Sequence, residues 1–290
     1  MATGLEKSST GRQHFDIYAI LEGPQELYFG DEVQVNVNLV EQVELALDDN
    51  TKIKKCYLSP TKRRGVERRS LIWAPTSGGE LLGDREQCGI PGTCAKTECP
   101  ICSIFGALQP GQATLVGRLT HGGGVAIQKL RPQEKQRAMH PAEINRQKET
   151  SPTPFRREYN EPGLLYPVSN HLLSVTDYEF NGAAYAFLDA LARVGAGNPK
   201  GVQLFEKEQE PLLVVDRYLS PLGKRPLISP HITNVEEAIQ SFQHRAHWVH
   251  GEVHESNHIQ HERFERRIGD QALTYLQSCA DEFVASCLQG

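Results

Sequence analysis

The chain has 290 residues, 39% of them hydrophobic, enough to bury a sizeable core in one large domain or one domain with insertions. Its formal net charge of -5 excludes a protein that coats nucleic acid through a uniformly basic surface. No run approaches the ~20 apolar residues of a membrane span, and the N-terminal MATGLEKSSTGRQ lacks the apolar stretch of a signal peptide. With an odd count of seven cysteines added, the expected location is the cytoplasm, with no membrane partner.

In chain order, HFDIYAIL places Phe15, Ile17, Ala19 and Leu21 on one side of a first predicted strand. EVQVNVNLV repeats the period of two with Val33, Val35, Val37 and Leu39. A basic stretch follows, in which Lys52, Lys54, Lys55, Lys62, Arg63, Arg64, Arg68 and Arg69 share the segment with one acid, Glu67. Within it LSPTKRRG reads as a turn from Ser59 and Pro60 that gathers Lys62, Arg63 and Arg64. Such stripes track a phosphate backbone in some proteins and are solvated loop surface in many others, and the residues alone leave both readings open.

GQATLVGRLTH and NHLLSVTDYEF are expected as strands, and AAYAFLDALARV as a helix with Tyr185, Leu188, Leu191 and Ala192 at helical spacing, stopping at Gly195. VQLFE and PLLVVDRYL return to extended structure, and 234–290 is expected to be mostly helical, most clearly from Asp270 to Cys287. Between the strands, 122–158 is polar, proline-broken and almost without apolar periodicity, so it is not expected in a core. It carries a second basic group, Lys129, Arg131, Lys135, Arg137, Arg146, Lys148, Arg156 and Arg157. Its ending, Phe155, Arg156, Arg157 and Tyr159, suits an element that stacks on bases while pinning phosphates; the plainer alternative is a mobile surface loop. RVGAGNPKG sets Gly195, Gly197 and Gly201 around Lys200, where bare backbone amides can approach an anion or the glycines merely end a helix.

Four cysteines crowd together at Cys88, Cys94, Cys99 and Cys102, ending in CPICSIFGA. Thiolates are soft ligands for a tetrahedral divalent ion, and four of them close a structural zinc site with no open position for substrate. The looser spacing from Cys88 to Cys94 leaves room for a histidine ligand, and a disulfide pair or unrelated buried thiols are the competing readings.

Taken together, ELYFGDE, CYLSPTKRRGVER, CPICSIFGA, REYNEPGLLYPVSNHLLSV and FLDALARVGAGNPKG resemble, in that order, the repeat-associated mysterious protein (RAMP) superfamily of CRISPR effector complexes, and within it the guide-RNA backbone subunits. The phrases that carry the resemblance are Leu27 to Gly30, Ser59 to Gly65, Cys99 to Gly106 and Glu158 to Gly163, and the match spans residues 15 to 205. The resemblance implies an α+β chain with a modified ferredoxin-like, RNA-recognition-type core in a single domain 1–290. It implies a basic, zinc-bearing insertion at 50–110 and a thumb hairpin at 122–158. Such subunits polymerise along a guide crRNA with other effector subunits and present it to a target nucleic acid. Carried over by position, Lys62, Arg63, Arg64, Arg68 and Arg69 line the guide groove, and Gly197, Lys200 and Gly201 form its glycine loop.

Some members of the family cleave target RNA with a loop aspartate. Here Val40-Glu41-Gln42-Val43 stands near that place, so the alternative is a metal-dependent endoribonuclease using Glu41, Asp48 or Asp49. The extra methylene of glutamate and the NPKG phrase in place of serine-arginine-glycine favour a non-cleaving, DNA-targeting type of complex. Finally, His244, His247, His250, His254, His258 and His261 recur every three or four residues; on a continuous helix they would form one stripe, either metal-binding or solvated, although Gly251 weakens that helix.

Overall fold

The computed structural model describes residues 11–25, 27, 32–34, 37–47, 51–111, 113–130, 133–137, 155–195 and 201–289. Strand β1 (Gln13–Gly23) keeps the expected alternation, yet both of its faces are inside. Phe15, Ile17, Ala19 and Leu21 enter one core, and Tyr18 and Ile20 enter a second. The stretch read as one strand near Val33 is a hairpin instead: β2 (Glu32–Gln34) pairs antiparallel with β3 (Val37–Leu39), Val33 opposite Asn38. β4 (Gln42–Ala46) and β5 (Lys52–Cys56) form another, with Glu44 opposite Lys54.

The basic turn at Ser59 proves to be the start of a helix, α1 (Pro60–Ile72), because proline is well placed in a first helical turn whose amide needs no partner. Two short helices follow, α2 (Leu82–Glu86) and α3 (Pro100–Phe105). GQATLVGRLTH then supplies two strands rather than one. β6 (Ala107–Gln109) pairs with β7 (Ala113–Leu115), and β8 (Leu119–Gly123) starts anew after Gly117. A side chain at Gly117 would stand 2.6 Å from the Phe105 carbonyl carbon, so the chain passes α3 there as bare backbone.

β9 (Gln133–Arg137) and β10 (Phe155–Tyr159) pair antiparallel, and β10 runs parallel to β3, giving a separate four-stranded sheet β2-β3-β10-β9. β11 (Leu164–Val175) ends where Thr176 caps α4 (Asp177–Leu191). The Thr176 hydroxyl accepts from the Glu179 amide and the Glu179 carboxylate accepts from the Thr176 amide, so DYEF, expected as strand, is the first turn of that helix. The longer elements that follow, together with the two-residue β12 (Gln203–Leu204), are β13 (Leu213–Tyr218), α5 (Val235–Ala246), β14 (His258–His261), β15 (Phe264–Ile268) and α6 (Asp270–Gln289). Two small antiparallel pairs lie between them, Glu206–Lys207 with Glu210–Pro211 and Trp248–Val249 with Glu252–Val253.

The main sheet is antiparallel throughout, in the order β14-β15-β13-β1-β11-β8, with β12 on β1 beyond the end of β13. Helices α1, α3, α4 and α6 cover one face, where Phe15 stacks on Phe180 at 3.9 Å. Helix α5 covers the other, setting Ala238, Ile239 and Phe242 against Tyr18, Ile20 and Val214. This is a layered α+β fold, and two covered faces explain why β1 is apolar on both. The segment 122–158 is not wholly outside the core either, since Ala126 and Ile127 are buried directly after β8.

Strands β14 and β15 interrupt the helical C-terminal stretch and disperse the histidines. His244 ends α5, His247 caps it, His250 opens a turn at φ 52°, and His258 and His261 bound β14. The six imidazoles therefore share no helix face. His250 and His261 stack at 4.9 Å, while His258 pairs with Glu265 at 2.7 Å.

Two cations are buried in this framework. Arg266 is fully enclosed: its fork meets both Asp216 carboxylate oxygens at 2.6 Å, and its other N–H groups donate to the carbonyls of Lys224, Arg245, Ala246 and Trp248. Lys55, likewise enclosed, donates to the Ile232 carbonyl at 2.6 Å, and burial together with the nearby Lys129 pulls its ammonium down to about 8. The folded value lies below the unfolded one, so the folded state binds the proton less well and is penalised fully below pH 8; the penalty fades as pH rises toward the unfolded value near ~10.4. Lys55→Met is thus expected to stabilise the protein by about 1–2 kcal/mol at pH 7, with the gain shrinking above pH 8. Urea midpoints of both proteins between pH 6 and 10 check it, and a gain that does not change with pH refutes the charge argument.

Candidate metal centre and nucleic-acid interface

The four clustered cysteines converge. Gln87 turns the chain left-handed at the end of α2, and the Cys88 amide donates to the Gly83 carbonyl at 2.8 Å. Ala95 adopts a second left-handed conformation, Cys99 stands at the N-cap of α3, and Cys102 lies in its first turn. The Sγ atoms of Cys88 and Cys94 lie 3.4 and 3.6 Å from that of Cys102, and all four sulfurs fall within 4.8 Å of one another.

A disulfide requires about 2.05 Å, so these are free thiols, whereas the edges of a tetrahedral site with ~2.3 Å metal–sulfur bonds measure about 3.8 Å. The spacing fits a metal ion. Three of the four side chains are buried, and hydrogen bonds from Cys99 and its neighbours bring the Cys88 thiol down to about 5, while burial pushes Cys102 up to about 12. Ionising several thiols in so small a volume needs positive charge among them, which a cation would supply. No other group of three or more candidate ligands converges among the described residues, the histidines included.

Helix α1, which packs against α3, presents three different faces. Inward, Arg63 donates to Asn170 Oδ1 at 3.0 Å and to the Gly122 carbonyl at 2.6 Å, and Glu67 accepts from Asn170 at 2.9 Å and meets His121 at 2.8 Å. Arg63 is 3% exposed, and burial draws its guanidinium down to about 10 against the pull of Glu67. It locks the helix to β8 and β11 and is out of reach of a strand on the surface, which corrects its placement in a guide groove.

Toward α3, Arg64 donates to the Phe105 carbonyl and lies one turn from Arg68; burial and that like charge lower the Arg64 guanidinium. Outward, Lys62 and the exposed Arg69 lie on one stripe seven residues apart, with Gly65 between them. The Lys62 ammonium meets the Glu41 carboxylate at 2.9 Å.

The other expected residues divide. Phe155, Arg156, Arg157 and Tyr159 lie on β10, where Arg157 stands opposite Lys135 and Phe155 opposite Arg137 in the strand register. Gly197 and Lys200, and also Asp48 and Asp49, lie outside the described residues. Gly201 has φ 76°, its amide donates to the Val194 carbonyl, and a side chain there would meet the Leu191 carbonyl at 3.1 Å, so it closes the end of α4.

One buried cluster escaped the sequence reading. Asp16 Oδ1 meets His171 Nδ1 at 2.9 Å, its Oδ2 accepts from the Tyr18 hydroxyl at 2.8 Å, and His171 Nε2 lies 3.0 Å from the Ser169 hydroxyl. Burial works to raise the Asp16 carboxyl, but His171 and Tyr18 together hold it below the usual range. The available signal was an aspartate inside a strand apolar on both faces.

No protein-family model matches the chain, and no curated protein matches its sequence. The structure is similar to that of Csc2 from Thermofilum pendens, with a TM-score of 0.39 and 14% identity over 73% of this chain and 69% of that one. It is also similar to a chain of a Type IV-B CRISPR complex, with a TM-score of 0.40 and 15% identity over 77% and 98%. A chain of a CRISPR RNA-guided surveillance complex, pre-nicking, gives a TM-score of 0.48 and 10% identity over 80% and 86%. Among the described residues, no helix is long and apolar enough to cross a membrane.

Proposed function

We propose that this chain is a backbone subunit of a CRISPR effector complex, which polymerises along guide crRNA in the cytoplasm and holds it for pairing with a target nucleic acid. The observation that carries this reading is a coincidence of two orders. The sequence phrases follow the order of the RAMP subunits, and β1, α1, β8, β11, α4 and β13 follow one another as β-α-β-β-α-β with the strands arranged β13-β1-β11-β8. That is the succession of a ferredoxin-like, split βαβ core. In this reading the cysteine cluster holds a structural Zn2+, which completes four thiolate ligands and supplies rigidity rather than chemistry.

The RNA-facing surface is then the outer stripe of α1, with Lys62 and Arg69, and strand β10, which carries Phe155, Arg156, Arg157 and Tyr159 in its sequence, is proposed to extend it. The net negative charge is no obstacle, since one basic groove suffices while other faces meet neighbouring subunits. The protein is expected to bind single-stranded RNA with little sequence preference and to assemble on it. The slope of log affinity against log salt should fall by about 0.7 for each phosphate contact removed, as in Arg69→Ala. Anisotropy titrations from low to moderate salt, with light scattering for assembly, test this; a monomer that ignores RNA at low salt refutes it.

A further inference from the structure

Glu41, considered above as a catalytic acid, is engaged by something else. Its carboxylate meets the Lys62 ammonium at 2.9 Å, with the two side chains 29% and 26% exposed. We propose that Glu41 is an internal phosphate mimic, which competes with the RNA backbone for Lys62 so that a guide strand loads there by exchanging one anion for another. The proposal rests on the reading of α1 as an RNA contact.

Glu41 Oε2 is itself buried, while both side chains keep part of their surface exposed, so the pair is held and still borders solvent. Its geometry is set from the backbone: the Tyr57 amide donates to the Glu41 carbonyl at 2.9 Å, and α1 begins three residues after Tyr57. The carboxylate is therefore fixed relative to the start of the helix. Helix α1 has no acid in its first turn and no side-chain bond at its cap, Ser59, although Lys62, Arg63 and Arg64 stand near its positive end. Cations there are disfavoured by the helix dipole, and the compensating negative charge comes from outside the helix, at Glu41. Among the described residues, Glu41 belongs to no group of three or more candidate metal ligands.

The chemistry of the swap is balanced. A phosphodiester and a carboxylate each carry one negative charge, so replacing one by the other leaves the charge at Lys62 unchanged. A single phosphate gains little by displacing Glu41, whereas a strand that also engages Arg69 brings its next phosphate to Lys62 at high effective concentration. The contact thus selects against short or isolated anions.

The test uses the full chain and a fluorescent oligouridylate. Glu41→Gln should tighten binding about two- to fivefold and steepen the salt slope by about 0.7, because Lys62 then sheds a counterion of its own. Glu41→Gln in a Lys62→Ala background should gain nothing. Wild type that binds RNA while Glu41→Gln binds equally or more weakly overturns the mimic alone, and an equal gain in the Lys62→Ala background overturns it by showing a general charge effect. If neither protein binds RNA, the RNA-contact reading and the mimic fall together; binding by Glu41→Gln alone upholds the mimic.

Discussion

Asp216→Asn is expected to cost this protein about 3–5 kcal/mol of stability, the usual penalty for stripping one partner from a buried ion pair. Arg266 has no exposed surface, and its fork depends on both oxygens of Asp216 at 2.6 Å. Four backbone carbonyls orient the guanidinium but do not neutralise it. Gly223 leaves no alternative position, since a side chain there would stand 2.5 Å from Arg266 Nη2. In a chain of this size the loss lowers the melting temperature by about 6–20 °C.

The complementary variant, Arg266→Met, isolates the acid. Burial pushes the Asp216 carboxyl up and Arg266 pulls it back, so without the arginine the folded value stands well above the unfolded one. Such a group adds stability below its unfolded value of about 3.9 and loses it as pH rises through the folded value. Arg266→Met should therefore be less destabilised in mild acid than at neutral pH, and the double variant Asp216→Leu with Arg266→Met should recover much of the loss. Calorimetry across pH decides; a single-variant loss under ~1 kcal/mol would mean the pair is solvated.

These residues show where the sequence was opaque. β15 reads FERRI, three charges in five positions, which looks like surface, yet Arg266 is the largest fully buried side chain among the described residues. The inner face of α1 misled in the same way: Arg63 and Glu67 are one turn apart and satisfy each other through Asn170, so apolar periodicity has nothing to detect and the segment passes for a basic loop. The histidine spacing imitated a helix, but Gly251 at φ 89° after His250 at φ 52° makes a turn instead. Thr176 and Glu179, by contrast, were a legible capping box placed inside an expected strand. What read correctly was local or strongly periodic: the alternation of β1, the helical span from Asp270, and the cysteine cluster, whose ligands lie too close in the chain to be scattered by tertiary structure.

That cluster carries the other large effect. In the metal-bound reading proposed above, treatment with a chelator, or replacing Cys102 by serine, is expected to cost about 3–5 kcal/mol and lower the melting temperature by about 6–20 °C. The segment around it has little else to order it. α2 and α3 are five and six residues long, well below the length at which helices persist alone. Yet Cys99, Ile101, Cys102, Ile104 and Phe105 all belong to the main core, so losing the ligands loosens the packing under α4 and α6. The damage should reach the basic helix, because Arg64 is tied to the Phe105 carbonyl at the end of α3. Amide exchange should therefore quicken first across 82–106 and next across the middle of α1. Elemental analysis should find one metal ion per chain, lost in Cys102→Ser, and RNA affinity should fall together with α1 protection. A chain purified without metal that melts at the same temperature with and without chelator would remove the metal from this account and leave four packed thiols in its place.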